Sequence, residues 1–173
     1  MTTSVDLGSG NNPKNPFKAD VVIGCDINNF NRDDIKVCIL GYDSLPFGDN
    51  EIDYFTAFDL FEHIPKFDSQ ILFKYPFIFL MNEIWRSLRP GGKLYAEMPT
   101  YPNMNLFTDP THVNYITPES ARYFAREVTG DGHIMGDDRL EYCKGYGFVG
   151  KFLALRNICD LGRQIWLFQA VKE

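Results

Sequence analysis

The chain has 173 residues, 45% hydrophobic and 23% charged, which suits one domain (1–173) with one substantial core and argues against a disordered chain. A net charge of −6, with Lys and Arg scattered, disfavours a phosphate backbone as partner, so no nucleic-acid substrate is expected. Cys25, Cys38, Cys143 and Cys159 form no C-x-x-C pair and read as reduced core residues rather than a zinc site or a disulfide frame. The N-terminal MTTSVDL lacks a basic segment followed by an apolar one, and the most apolar run, Tyr75 to Met81, is too short to span a bilayer. The expectation is therefore a cytoplasmic protein with no membrane partner.

In chain order, Thr3–Leu7 reads as a first strand, stopped by the glycine loop Gly8-Ser9-Gly10. Val21–Cys25, Lys36–Leu40 and Ile52–Phe58 follow as strands two to four. Gly92–Met98 is the fifth, announced by Pro90-Gly91-Gly92. Between the last two, a helix is expected over about Ser69–Leu88, with Leu80, Ile84 and Leu88 as its buried stripe and a break near Tyr75 caused by Pro76. A further helix should start at Thr117-Pro118-Glu119-Ser120, with Thr117 as N-cap and Ser120 facing back to it, and end near Thr129-Gly130. Two closing strands, about Phe148–Arg156 and Arg163–Val171, are joined closely enough to pair antiparallel. Strands alternating with crossovers make an α/β sheet, and ligands of such sheets bind beyond the carboxyl ends of the strands.

The residues at those ends carry chemistry. Asp6, Gly8 and Gly10 follow strand one, where glycine lets the backbone turn tightly and approach a ligand. Asp26, followed by Ile27, ends strand two, where a carboxylate can accept from two ribose hydroxyls. Asp43 and Ser44 follow strand three and could read an adenine edge. Strand four leads into Asp59-Leu60-Phe61-Glu62-His63. A nicotinamide dehydrogenase fits less well, because Pro13 stands where G-x-G-x-x-G needs its third glycine and brings no N–H for a pyrophosphate.

The segments DLGSG (6–10), IGCDI (23–27), YDSLPFGDNEID (42–53), LFEHI (60–64) and NEIWRSLRPGGKLYAEMP (82–99) resemble the class I S-adenosylmethionine (SAM) dependent methyltransferases, especially the small type 11 group. The resemblance covers about residues 3 to 128. It implies a single Rossmann-like domain with a mostly parallel seven-stranded sheet and an antiparallel last strand. It also implies SAM as cofactor, with the first loop around its methionine part, the acid after strand two on its ribose and D-x-LPF beside its adenine. The sequence departs from that pattern after Gly10. Asn12-Pro13 replaces the usual third glycine, and only Asn11 to Asp20 separates the loop from strand two, too little for a full crossover helix. A helix of at most two turns, or none, is expected there.

Methyl transfer from a sulfonium needs an aligned acceptor and, for a hydroxyl or protonated amine, a place for its proton. The loop Phe107-Thr108-Asp109-Pro110-Thr111-His112-Val113-Asn114-Tyr115 gathers such groups after strand five. His112 is the candidate general base or acceptor-orienting group and Asp109 its partner; a purely loop-pinning role for His112 is the competing reading. His63, Tyr101, Phe107 and Asn114 are candidates for lining the acceptor side, Asp59 for the cofactor side. Glu62 is expected to serve a helix N-terminus. His63, His112 and His133 with Asp109 have no local ligand spacing, so no metal is expected. The segment Asp131–Asp138 could be a lid or a plain connection. The favoured function is methyl transfer to a small polar acceptor, such as a sugar or metabolite. The alternatives are a non-catalytic SAM-binding or scaffold protein and a methyltransferase acting on protein or RNA.

Overall fold

The computed structural model describes residues 1–70, 75–127 and 139–172. Among them, eight strands form one sheet in the order β3-β2-β1-β4-β5-β8-β7-β6. The first five are β1 (Thr3–Leu7), β2 (Val21–Asp26), β3 (Ile35–Val37), β4 (Ile52–Phe58) and β5 (Leu88–Pro99), all mutually parallel. β6 (Ala125–Glu127) and β7 (Phe152–Asp160) are also parallel to each other. Only β8 (Arg163–Ala170) runs against its neighbours, β5 and β7. This is the expected architecture with one addition, the three-residue β6. The expected helix after Thr117 gives way there: a 3-10 helix, Pro118–Tyr123, ends before β6 instead of continuing toward Gly130, which lies outside the described residues.

Local chemistry explains the boundaries. Ser120 Oγ accepts from the Thr117 N–H at 3.0 Å, closing the capping box, with Pro118 in the first turn. Helix α1 (Pro76–Ser87) begins at Pro76 rather than kinking there, because a proline has no N–H to lose at the first helical position. It buries Phe77, Leu80, Met81 and Ile84, while Leu88 already opens β5. The hairpin between β7 and β8 turns on Leu161 and Gly162 alone, both at positive φ, so β7 extends to Asp160. Two short helices were not legible in the sequence: α2 (Asn105–Thr108) and α3 (Arg139–Gly145). Cys25, Cys38 and Cys143 are buried free thiols, burial pushing the Cys143 thiol up to about 12. Cys159 corrects the sequence expectation, being exposed at the outer end of β7. No helix among the described residues is long and apolar enough to cross a membrane.

The two faces of the sheet differ. The β4-to-β5 crossover carries α1 and, with Val5, Leu7, Phe55, Leu94, Ala96, Trp166 and Phe168 from the strands, makes the core. Crossovers from β1 to β2 and from β2 to β3 travel the other way, so right-handedness assigns them to the opposite face. Neither carries a helix. The loop after β1 instead lies directly on the strands: Phe17 stacks on Tyr54 at 4.3 Å and Lys14 Nζ sits 4.1 Å over the Phe58 ring. Beyond that loop, Tyr95, Ile165 and Leu167 on this face are only half-buried.

Gly24 is what lets the loop lie so close. A Cβ there would stand 2.5 Å from Ser9 Oγ, 2.9 Å from Ile35 Cγ1 and 3.0 Å from Pro13 Cγ. Gly24→Ala should therefore lower stability by about 1–3 kcal/mol, an overpacking cost, read as a loss in chemical denaturation; a neutral substitution would show that the loop does not rest on β2.

Candidate active site

The carboxyl ends of β1, β2, β3, β4 and β5 share one edge of the sheet, and the chemically distinctive residues collect there. Gly8 and Gly10 adopt positive φ, +63° and +54°. Gly8 passes so near the next loop that a Cβ would stand 2.9 Å from Leu60 Cδ1. Gly10 faces open space, and its N–H donates to Asp26 Oδ2 at 2.9 Å. The second Asp26 oxygen accepts from the Asn28 N–H at 3.2 Å. Ile27 beside it is 72% exposed, an apolar side chain free to cover a flat ring.

Asp6 has a different place from the one expected. It is 2% exposed and accepts from Thr56 Oγ1 at 2.6 Å and from the Lys14 N–H at 2.8 Å. Burial pushes its carboxyl up, against the pull of these donors. It anchors the loop from beneath rather than facing a ligand. Asp43 spends Oδ2 on the Ile39 N–H (2.8 Å) within its own turn, while Ser44 next to it is exposed. The LPF segment that follows is fastened to α1: buried Glu83 accepts from the Leu45 N–H at 2.9 Å, and Arg86 donates to the Phe47 carbonyl at 2.9 Å and to Asp49 at 2.7 Å. Asp59 sits in the left-handed region, φ +49°, and its Oδ1 takes Arg163 Nη1 at 2.5 Å. Arg163 Nε also donates to Glu97 at 3.1 Å. Asp59 is thus tied to β8 through one oxygen, with its side chain still half exposed, and Arg163, 104 residues away, carried no sequence signal.

On the other side of Leu60, a 3-10 turn spans Phe61–His63. The loop holding His112 is strapped to it. The Glu62 carbonyl accepts from the Val113 and Asn114 N–H groups at 2.8 and 2.9 Å. Asn114 Nδ2 donates to the Phe61 carbonyl at 3.0 Å. Asn114 is fully buried, so it fixes the turn instead of lining an acceptor pocket. His112 donates Nδ1–H to the Leu106 carbonyl at 3.0 Å, since a carbonyl can only accept. Its Nε2 then lies 4.0 Å from Glu62 Oε1 and 3.9 Å from Asp109 Oδ2. Asp109 is an exposed carboxylate held below its usual range by the hydroxyl and N–H of Thr111, 2.6 and 2.8 Å away. His63 stands edge to face with His112, ring centres 4.7 Å apart, with Nδ1 3.0 Å from Thr111 Oγ1. Phe107 packs on Tyr115 (5.4 Å) and is half exposed, while Tyr101 is 67% exposed at the loop's start. His133 and the segment 131–138 lie outside the described residues.

Glu62 is the residue that sequence reasoning undervalued. It is 1% exposed, and no other described residue donates a hydrogen bond to either carboxylate oxygen. Burial pushes its carboxyl up to about 7.

No family model and no curated protein matches the sequence. Solved structures do. A chain of the Haloferax volcanii complex between the Trm112 methyltransferase activator and a methyltransferase superposes over 99% of this chain and 83% of its own, with TM-score 0.59 at 16% identity. A SAM-dependent methyltransferase from Archaeoglobus fulgidus matches with TM-score 0.57 at 17% identity, covering 99% of this chain and 86% of that one. The chain has the fold of the class I SAM-dependent methyltransferases. The same methyltransferase fold also serves the [4+2]-cyclase SpnF, similar at TM-score 0.58 and 13% identity over 99% of this chain and 75% of that one.

The Asp6 anchor under the glycine loop is open to test. Thr56→Val keeps the shape but removes the donor to a buried carboxylate oxygen. It should cost about 1–3 kcal/mol of stability in chemical denaturation, and unchanged stability would refute the anchoring role.

Proposed function

We propose that this protein binds SAM across the loop Gly8–Gly10, with Asp26 and Ile27 beyond β2 and Asp43–Ser44 beyond β3, and transfers its methyl group to a small polar acceptor. The observation that carries this reading is the adjacency at Leu60. The open glycine loop lies on one side of it and the Glu62, His63, Asp109 and His112 cluster on the other. In-line displacement needs such an arrangement, a cofactor cradle abutting groups that can hold an oxygen or nitrogen nucleophile. The acceptor's lone pair forms the new bond to the methyl carbon. The S–C pair returns to sulfur, and the acceptor's proton goes to the His112–Asp109 pair. Phe107 and Tyr101, half or more exposed on the same loop, offer apolar surface to the rest of the acceptor. The net charge of −6 favours a small acceptor over RNA.

A second reading is a SAM-binding or scaffold protein without turnover. One observation favours it: the first crossover has no helix and leaves one face of the sheet half open. The SpnF likeness makes the general point that a fold does not fix a reaction.

Incubation with methyl-tritiated SAM and a panel of sugars, hydroxy acids and amines separates the two. Label transfer by the wild type, falling at least about tenfold in His112→Ala while SAM affinity holds, is the expected result for a general acid–base role. Transfer undiminished in the variant would remove His112 from the chemistry. No transfer to any acceptor, with SAM bound, would favour the scaffold reading.

A further inference from the structure

Glu62 and the His112 imidazole face each other with no hydrogen bond between them. His112 has given its one N–H to the Leu106 carbonyl, so Nε2 presents a lone pair toward Glu62 Oε1 at 4.0 Å and Asp109 Oδ2 at 3.9 Å. Both Glu62 oxygens are buried and unpartnered among the described residues. One ligand-capable atom each from Glu62, His63 and His112 falls within 4.8 Å of the other two. An unpaired buried carboxylate aimed at an imidazole lone pair is costly, and a cation between them removes the cost.

From this we infer that Glu62, His63 and His112 form a binding site for one first-row divalent transition-metal ion, with Asp109 at its solvent side. Two imidazole nitrogens and one carboxylate suit Zn2+, Co2+, Mn2+ or Fe2+ and leave positions open for solvent or substrate. Two ligands each about 2.1 Å from one ion stand about 3–4.2 Å apart; Glu62 Oε1 and His112 Nε2, at 4.0 Å, already fall in that range, and separations of up to 4.8 Å within the trio close by side-chain movements of about an ångström. The outer contacts fit as well. The Nδ1–H of His112 bonded to a backbone carbonyl is the support that orients a ligating imidazole, and Thr111 links His63 to Asp109. Local spacing in the sequence points to no metal, because Glu62 and His63 come from the turn after β4 while His112 comes from a loop about fifty residues later. The strap from Val113 and Asn114 to the Glu62 carbonyl joins them.

The site itself stands on these residues alone; its role rests on the methyl-transfer reading. There the ion would hold the acceptor's hydroxyl oxygen and lower its pKa. With Nε2 on the ion, His112 would hold the ion rather than take the proton, which would pass to Asp109; the oxygen would take the methyl carbon, and the S–C electron pair would stay on the sulfur of S-adenosylhomocysteine.

Cobalt titration of the EDTA-stripped full chain tests the site directly, read as visible d–d absorption. The expected result is saturation at one Co2+ per chain, with affinity at least about tenfold weaker in His63→Ala, in His112→Ala and in the isosteric Glu62→Gln. S-adenosylhomocysteine affinity, followed in the same variants, should stay at the wild-type value and shows that the fold and cofactor side are intact. No cobalt absorption in the wild type overturns the inference, as does wild-type cobalt affinity in Glu62→Gln and His63→Ala. Methyl transfer at full rate in EDTA overturns the ion's role while leaving the methyltransferase reading in place. Cobalt bound as expected without any methyl transfer leaves the site standing and removes that reading.

Discussion

A buried carboxylate holds the cofactor side of this molecule together. Asp6 ends up with 2% of its surface exposed, yet among the described residues no cation stands beside it at hydrogen-bond distance. What it has instead are the Thr56 hydroxyl from β4 and the Lys14 amide from the loop that leaves β1. Those two donors tie three stretches of chain to one point. With Lys14 tied, the loop lies flat on the sheet, with Phe17 and Lys14 over β4 and with Ser9 and Pro13 over β2, where the absence of a side chain at Gly24 admits them. Gly10 is thereby carried to the Asp26 carboxylate. The geometry of the glycine loop follows from the anchor beneath it, not from a helix behind it.

That construction has a consequence for the sheet. In a doubly wound sheet both faces are covered by crossover helices, and each helix brings apolar surface that stabilises its face. Here one face has α1 and a core running from Val5 to Trp166 and Phe168, and the other has a short loop with Phe17 on Tyr54. Beyond the loop, charge keeps the face polar: Arg163 bridges Asp59 and Glu97, and Tyr95 donates to Glu97 at 3.2 Å. Asp59, drawn into this bridge, gives the β4 end its left-handed kink and sends the chain toward the turn that carries Glu62 and His63.

Elements set by local chemistry were legible in the sequence. β1 and β4 match residue for residue, the Thr117–Ser120 capping box is present, and ten residues between loop and strand sufficed to exclude a full crossover helix. β6 and α3 were not, because ARE and RLEYCKG carry too few apolar residues for either period to stand out. For the site, the residue types were legible but their partners were not. Asp6, Asp59 and Asn114 sit at strand ends and loops as expected, but each is spent on a donor or acceptor far along the chain: Thr56, Arg163 and the Phe61 carbonyl. No spacing rule reaches 50 or 104 residues. Glu62 shows the same limit from the other side. Its burial and its unpaired oxygens are properties of the fold, not of the tripeptide that contains it.

The cofactor side comes down to one interaction, between a ligand held by the open glycine loop and the acid that answers it. Titration of S-adenosylhomocysteine into the wild type and into Asp26→Ala, followed by calorimetry, measures this. Micromolar binding by the wild type, weakened about tenfold or more in Asp26→Ala through loss of a charged acceptor, is the predicted result. Absence of binding to the wild type, or equal affinity in the two proteins, would contradict it.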